Sequence, residues 1–273
     1  MRFTKMHGLG NDYIFVNTFD EKAHDWPELA RSLSPFHYGI GSDGLILIEP
    51  SATDDFKMRI FNADGSEGEM CGNGIRCVAK YVYDNRMTTK TDLSIETLAG
   101  SKHVSLILEA GRVAAVRVDM GSPVVKKEVS MKLWNNQVIT GLPVSMGNPH
   151  IVVFVKDVVS FDVMSIGSQI ETLPIFPNRT NVEFVEAAEP DRLKMRVWER
   201  GSGETLACGT GACASLCAAV SKGYCDPCAT VRVIGGDLKI EWDQQANKVF
   251  MTGPATKVFT GDVDLKDIDP ALS

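Results

Sequence analysis

The stretch "EMCGNGIRC", from Glu69 to Cys77, returns in altered form 137 positions later as "LACGTGACA", from Leu206 to Ala214. Each copy carries Cys-Gly-x-Gly ahead of a run of small and apolar residues, "IRCVAKYVYD" in the first and "ACASLCAAVSKG" in the second. Such a run suits a buried helix. The offset between Cys71 and Cys208 can be tested elsewhere along the chain. Gly10-Asn11 falls on Gly147-Asn148, with Ile14 and Val16 meeting Ile151 and Val153. "GLILIE" from Gly44 falls on "NVEFVE" from Asn181, and "KMRIF" from Lys57 falls on "KMRVW" from Lys194. Matches in one ungapped register over this distance read as an internal duplication.

The duplicated halves share a pattern of secondary structure. "YIFVN", "GLILIE" and "KMRIF" are strands by their β-branched and aromatic content, as are "HIVVFV", "VEFVE" and "KMRVW". "SLILEAGRVAAVRVDMG" and "DLKIEWDQQANKVFMTG" read as hairpins that turn at Ala110-Gly111 and around Gln245 to Asn247. The expected fold is α/β of the α+β type, with two pseudo-symmetric lobes, each a mixed sheet or barrel around one central helix. We place the first lobe at residues 1–120, with the segment 257–273 as a candidate to complete it, and the second at 121–256.

Composition bounds the function. The chain has 273 residues, 44% of them hydrophobic and 23% charged, without biased tracts. This is a globular composition, long enough for two cores. The formal net charge of −7 and the absence of a basic run disfavour nucleic acid and anionic membranes as partners. No run of about 18 apolar residues or signal-like N-terminus is present, so a cytoplasmic protein is expected. The seven cysteines are expected as reduced thiols. Cys225 and Cys228, with Cys213 and Cys217, could be imagined around a structural zinc. No histidine sits among them, however, and buried unreactive thiols are the simpler reading; no metal site is assigned.

Chemistry enters at the two cysteines. Each opens a helix beside two glycines, which let backbone approach a ligand and leave the first helical N–H groups open to an anion such as a carboxylate. A helix N-terminus should also lower the thiol pKa, making a thiolate base available. If the copies face each other, Cys71 and Cys208 flank one substrate atom from opposite sides, as inversion of a carbon centre requires. The alternative is a pair of buried cysteines at tight turns, which becomes harder to sustain when the feature occurs twice in register.

Departures from the repeat are also informative. Asn62 faces Glu199, Ala63 faces Arg200, Tyr13 faces His150, Gly44 faces Asn181 and Asn73 faces Thr210. A Glu-Arg pair in one half only, with Asn11, Asn62, Asn148 and Asn181 nearby by repeat logic, suggests a second polar head on the substrate. Arg would hold a carboxylate in a fork and Glu an ammonium. Taken alone, Glu199-Arg200 could equally be a solvated turn.

Together "MHGLGNDYI", "FNADGSEGEMCGNGIRC", "GNPH", "FPNRTNVEF" and "ERGSGETLACGTGACA", with "MTGP" near Met251, resemble the diaminopimelate epimerases. The resemblance implies a cofactor-independent two-base epimerase that interconverts LL- and meso-diaminopimelate in lysine and peptidoglycan precursor synthesis. It implies Cys71 and Cys208 as the acid/base pair, with His150 and Glu199 tuning the thiols. Gly72, Asn73, Gly209 and Thr210 would bind the reacting carboxylate, and Asn11, Asn62, Asn148, Asn181, Glu199 and Arg200 the rest of the substrate. It further implies two similar α/β lobes and a homodimer formed through a C-terminal aromatic residue, here Phe259. Many relatives carry Gln where this chain has Gly44, so no substrate contact is transferred there. Rival readings are a proline or hydroxyproline racemase, a phenazine-biosynthesis-type isomerase without paired cysteines, and a zinc-stabilised or thiol-rich binding protein.

Overall fold

The computed structural model describes residues 1–19, 21 and 24–268. Residues 269–273 of the expected C-terminal segment lie outside the described residues. The chain divides into two compact units, one comprising Met1–Val118 with the segment that begins at Gly253, the other Asp119–Thr252.

The first unit contains β1 (Arg2–Gly8), β2 (Asn11–Asn17), α1 (Trp26–Leu33), β3 (Gly44–Glu49), β4 (Phe56–Asn62), β5 (Glu67–Gly68), α2 (Gly72–Asp84), β6 (Asp92–Glu96), β7 (Lys102–Glu109) and β8 (Arg112–Gly121) as far as Val118. The second unit contains β9 (Val124–Val125), β10 (Val129–Lys132), β11 (Val138–Ser145), β12 (Pro149–Phe154), α3 (Val163–Glu171), β13 (Asn181–Glu189), β14 (Arg192–Glu199), β15 (Gly203–Glu204), α4 (Gly209–Ser221), β16 (Cys228–Val233), β17 (Gly236–Asp243) and β18 (Lys248–Gly253). β19 (Thr256–Asp262) and α5 (Leu265–Ile268) follow, and β19 pairs antiparallel with β1.

Strand pairing repeats along with the sequence. β2 runs parallel to β3 with Ile14 opposite Leu45, and β12 runs parallel to β13 with Ile151 opposite Val182. β3–β4 and β13–β14 are antiparallel, with Leu45 opposite Phe61 and Val182 opposite Trp198. The parallel pairs β4–β6 and β14–β16 complete the correspondence, so the strand pairing within each unit is mixed. The hairpins turn where expected, at Ala110 and Gly111 and at Asn247, all with positive φ.

The strands of each unit pack on two helices, one of which lies outside the duplicated motif. α1 begins at Asp25, whose carboxylate accepts from the Glu28 N–H at 3.1 Å, and buries Trp26, Leu29, Ala30 and Leu33 on one helical stripe. α3 begins likewise at Asp162, which accepts from Ser165. The central helices α2 and α4 take the other face. α4 touches β11, β12, β13, β14, β16 and β17, as a sheet curled around a helix requires. Its small residues are buried nearly all round.

Pleating then assigns the side chains of the central strands. In β3, Leu45 and Leu47 join the core under α1, while Ile46 points at α2, where a Cβ on Gly74 would come within 2.5 Å of Ile46 Cδ1. In β13, Val182 and Phe184 join the core under α3, and the residue between them, Glu183, points at α4. A Cβ on Gly211 would lie 2.8 Å from Glu183 Oε1. The duplicated scaffold thus sets a methyl group beneath one helix start and a buried carboxylate beneath the other. Lys57 and Lys194 form ion pairs with Glu96 and Glu186. Among the described residues no helix is long and apolar enough to cross a membrane, and no group of three or more His, Cys, Asp or Glu side chains could hold a metal ion.

Candidate active site

Cys71 and Cys208 are the N-cap residues of α2 and α4. Both have extended backbone, and each sulfur accepts the N–H of the second motif glycine, Gly74 at 3.3 Å and Gly211 at 3.4 Å. A thiol here occupies the place of the usual Ser or Asp cap, at the positive end of the helix. The glycine after the variable residue must stay small, because its Cα faces the capping sulfur and β3 or β13.

Around Cys71 the structure gathers Asn11, Asn73 and Tyr13. The Cys71 thiol donates to Asn11 Oδ1 at 3.4 Å, and Asn73 Nδ2 donates to the same oxygen at 3.1 Å. The other end of the Asn11 amide donates to Asp43 at 2.7 Å, which fixes its orientation. Asn73 is held in turn by Arg76, a fully buried side chain that donates to Asn73 Oδ1 at 2.9 Å, to the Gly72 carbonyl at 3.0 Å and to the Pro254 carbonyl at 3.1 Å. Burial, and then the neighbouring Cys71, push the Tyr13 phenol well above its ordinary pKa, so it stays protonated. Asn62 is exposed at the end of β4, where its amide donates to Ser66 at 3.0 Å.

A different set surrounds Cys208. Its sulfur lies 3.6 Å from Thr210 Oγ1, which accepts from Asn148 Nδ2 at 3.3 Å. Asn148 Oδ1 faces His150 Nε2 at 3.0 Å, and His150 Nδ1 faces Glu183 Oε1 at 2.7 Å. Glu199 is half-buried at the end of β14, receives a hydrogen bond from Thr205 and is hydrogen-bonded to Cys208. Asn181 is used structurally, accepting from the Arg200 N–H at 2.9 Å and donating to the Pro149 carbonyl at 2.9 Å. The Arg200 side chain is exposed, with one hydrogen bond at 3.4 Å to the Asn178 carbonyl.

The electrostatics of Cys208 correct one expectation. The helix terminus was expected to lower the thiol pKa, and the Gly211 N–H and Thr210 do act in that direction. Burial acts more strongly, and the carboxylates of Glu199 and Glu183 add to it, so the thiol is pushed well above its ordinary value. A helix-end effect is worth up to about 2 kcal/mol, which is less than full desolvation of a charge. Burial also raises Glu199, with Glu183 contributing, against the hydrogen bonds from Thr205 and Cys208.

Sequence reasoning missed Glu183, Asp43, Thr205 and Arg76. Glu183 carried a legible signal: a carboxylate between Val182 and Phe184, in a strand buried on both faces, at the repeat position of Ile46. The other three interact through contacts that neither periodicity nor the duplication specifies.

The diaminopimelate epimerase family model matches residues 3–126 and 142–258. A diaminopimelate epimerase of Acetivibrio thermocellus is 54% identical, the match covering 98% of this chain and all of the relative. One from Methanococcus maripaludis is 53% identical over 97% of this chain and all of the relative. Among solved structures, a hydroxyproline epimerase from Agrobacterium vitis superposes with a TM-score of 0.77 at 16% identity, covering all of this chain and 94% of the other. A PhzF-family phenazine biosynthesis protein from Bacillus anthracis superposes at 0.76 and 16%, covering 97% of this chain and 99% of the other. These two resemblances establish a shared fold; the sequence matches go further, and this chain belongs to the diaminopimelate epimerase family.

Proposed function

We propose that this protein is a cofactor-independent two-base epimerase that converts LL-diaminopimelate to meso-diaminopimelate, in lysine and peptidoglycan precursor synthesis. Cys71 and Cys208 are the acid/base pair, one thiol for each face of the α-carbon. One sulfur removes the α-proton as a thiolate while the other, as a thiol, delivers a proton to the opposite face; the reverse reaction exchanges their roles. The observation that carries this reading is the same thiol cap on the same helix of both repeats, with N–H groups on hand for a carboxylate at each helix start.

The substrate's reacting carboxylate binds at Gly72, Asn73, Gly209 and Thr210. Asn11, Asn62, Asn148, Asn181, Glu199 and Arg200 hold the remainder, with Arg200 available to fork a distal carboxylate. His150 and Glu199 tune the thiols, Glu199 through its direct hydrogen bond to Cys208. An exposed arginine that pairs with no carboxylate among the described residues favours a substrate with a second charged head over proline or hydroxyproline. The enzyme acts in the cytoplasm as a homodimer. Phe259 supports that assembly: it lies on β19, is 46% exposed and stacks edge-on against Phe3 at 5.8 Å.

The test is proton NMR of the purified protein, free of metal and pyridoxal phosphate, with LL-diaminopimelate in D₂O and L-proline in a parallel tube. Loss of the α-proton signal from diaminopimelate with appearance of the meso isomer is expected. Exchange in the proline tube alone would assign the thiol pair to the racemase chemistry, and silence in both would refute the epimerase reading. Cys71→Ala and Cys208→Ala should each abolish turnover, because inversion needs both faces.

A further inference from the structure

Glu183 lies beneath the helix start at Cys208, with Oε1 2.8 Å from where a Cβ on Gly211 would stand. It is fully buried, as is the His150 ring that it touches. Only one of its carboxylate oxygens is engaged; the other, Oε2, is buried without a hydrogen-bond partner among the described residues. A buried carboxylate half-satisfied in this way needs a compensating cation. Among the described residues, only His150 is in contact to supply one.

Hydrogen-bond directions indicate where the protons sit. Thr210 Oγ1 accepts from Asn148 Nδ2, so Asn148 presents its oxygen to His150 Nε2, and Nε2 must carry a proton. Nδ1 faces the Glu183 oxygen at 2.7 Å, so one proton lies between them. Where that proton rests on Nδ1, with Glu183 ionised, both ring nitrogens are donors and the ring is an imidazolium. Beyond Asn148 the same direction continues. The Cys208 thiol is hydrogen-bonded to the Glu199 carboxylate, which can only accept its proton. The Thr210 hydroxyl, already an acceptor from Asn148, is left to donate to the Cys208 sulfur.

We propose that Glu183 is a positioning residue for the Cys208 half-reaction: it holds His150 as an imidazolium and so orders a chain of donors, His150 to Asn148 and Asn148 to Thr210, that ends on the Cys208 sulfur. The chain meets the thiolate form of Cys208 with a hydroxyl donor and the N–H of Gly211. It does so without adding net charge to the core, because the Glu183–His150 pair is neutral as a whole. The titratable groups coupled to the pair are Cys208 at the start of α4 and Glu199 at the end of β14. The first unit has no equivalent. Ile46 and Tyr13 stand at the two repeat positions, and there Asn11, oriented by Asp43, offers Cys71 an acceptor.

The inference rests on the epimerase reading for its role, but its first test does not require turnover. In the ¹⁵N–¹H spectrum of histidine-labelled protein, with His150 assigned by His150→Gln, the His150 ring should show both nitrogens protonated at neutral pH. In Glu183→Gln, which keeps the shape, it should become a neutral imidazole. A neutral His150 in the wild-type protein, or an imidazolium that survives Glu183→Gln, would overturn the proposal. With diaminopimelate, Glu183→Gln should lower kcat by about tenfold to a hundredfold with KM changed by less than about twofold. Thr210→Val, which breaks the last link, should lower kcat similarly. The double variant should be no more than about twofold worse than the poorer single variant, since both act through one chain. Multiplicative losses would refute the chain. A wild-type protein that leaves diaminopimelate unchanged would overturn the epimerase reading while the nitrogen spectrum still decides the ion pair.

Discussion

Replacing Arg76 with Met tests how the Cys71 site is held. Arg76 is the largest of the fully buried side chains, and its guanidinium donates to three acceptors: Asn73 Oδ1, the Gly72 carbonyl and the Pro254 carbonyl. Met keeps the stem and removes every guanidinium donor; the Gly72 carbonyl keeps the N–H of residue 76 within the helix, but the Asn73 and Pro254 oxygens lose a donor beside a fully buried side chain. Each orphaned acceptor costs about 1–3 kcal/mol, and loss of the cation's own desolvation offsets part of the sum. A net cost of about 3 kcal/mol is the expectation. At roughly 2–4 °C per kcal/mol for a chain of this size, the melting temperature should fall by about 6–12 °C. The same change removes the Arg76 contact that helps to orient Asn73, whose amide shares Asn11 Oδ1 with the Cys71 thiol. Epimerisation at 25 °C by the folded variant should therefore drop by about tenfold, roughly the loss of one charge-assisted hydrogen bond. Thermal unfolding followed by circular dichroism, with α-proton exchange on the same sample, measures both. A melting point within 2 °C of wild type would refute the reasoning, since it would mean that the Asn73 and Pro254 oxygens are satisfied without the guanidinium.

Other expectations follow from the same geometry. Gly211→Ala sets a Cβ 2.8 Å from Glu183 Oε1 and 3.2 Å from the Cys208 sulfur. It should destabilise by about 1–3 kcal/mol despite better helix propensity, and more than Gly74→Ala, whose Cβ meets the movable end of Ile46; urea unfolding of the pair checks the order. Because burial raises the Glu199 pKa in the folded state, this group costs stability as pH climbs above the ordinary carboxylate range near 4. Glu199→Gln removes that cost, so its melting temperature relative to wild type should rise between pH 4.5 and 7.5, while turnover is lost. A difference that stays flat with pH would count against burial as the cause. Burial also pushes Cys77 and Cys217 up to about 12 and Cys225 up to about 11. Iodoacetamide at pH 8 on native protein should therefore label the exposed Cys228 well before these three, as peptide mass spectrometry will show.

Much of the architecture was legible because duplication turns one chain into its own alignment. The offset between Cys71 and Cys208 placed the central strands, both buried helices and the cysteines at the helix starts, all of which depend on local rules: β-branched runs, glycine at a tight turn and small residues in a buried helix. The outer helices α1 and α3 lie outside the matched blocks and went unread, although Asp25 and Asp162 mark their starts.

Sequence alone also determined the asymmetry: Tyr13 against His150, Asn62 against Glu199, Ala63 against Arg200. It could not assign the consequences, because ionisation depends on what encloses a group. The helix start at Cys208 favours a thiolate, yet burial beside Glu199 and Glu183 outweighs it. Asn181 and Asn148 are the same residue type in the same half, but one is tied to backbone while the other links an imidazole to a hydroxyl. Those differences arise from strands 20 to 60 residues apart meeting at one helix end, and only the tertiary structure decided which polar atoms would be left to face the thiol.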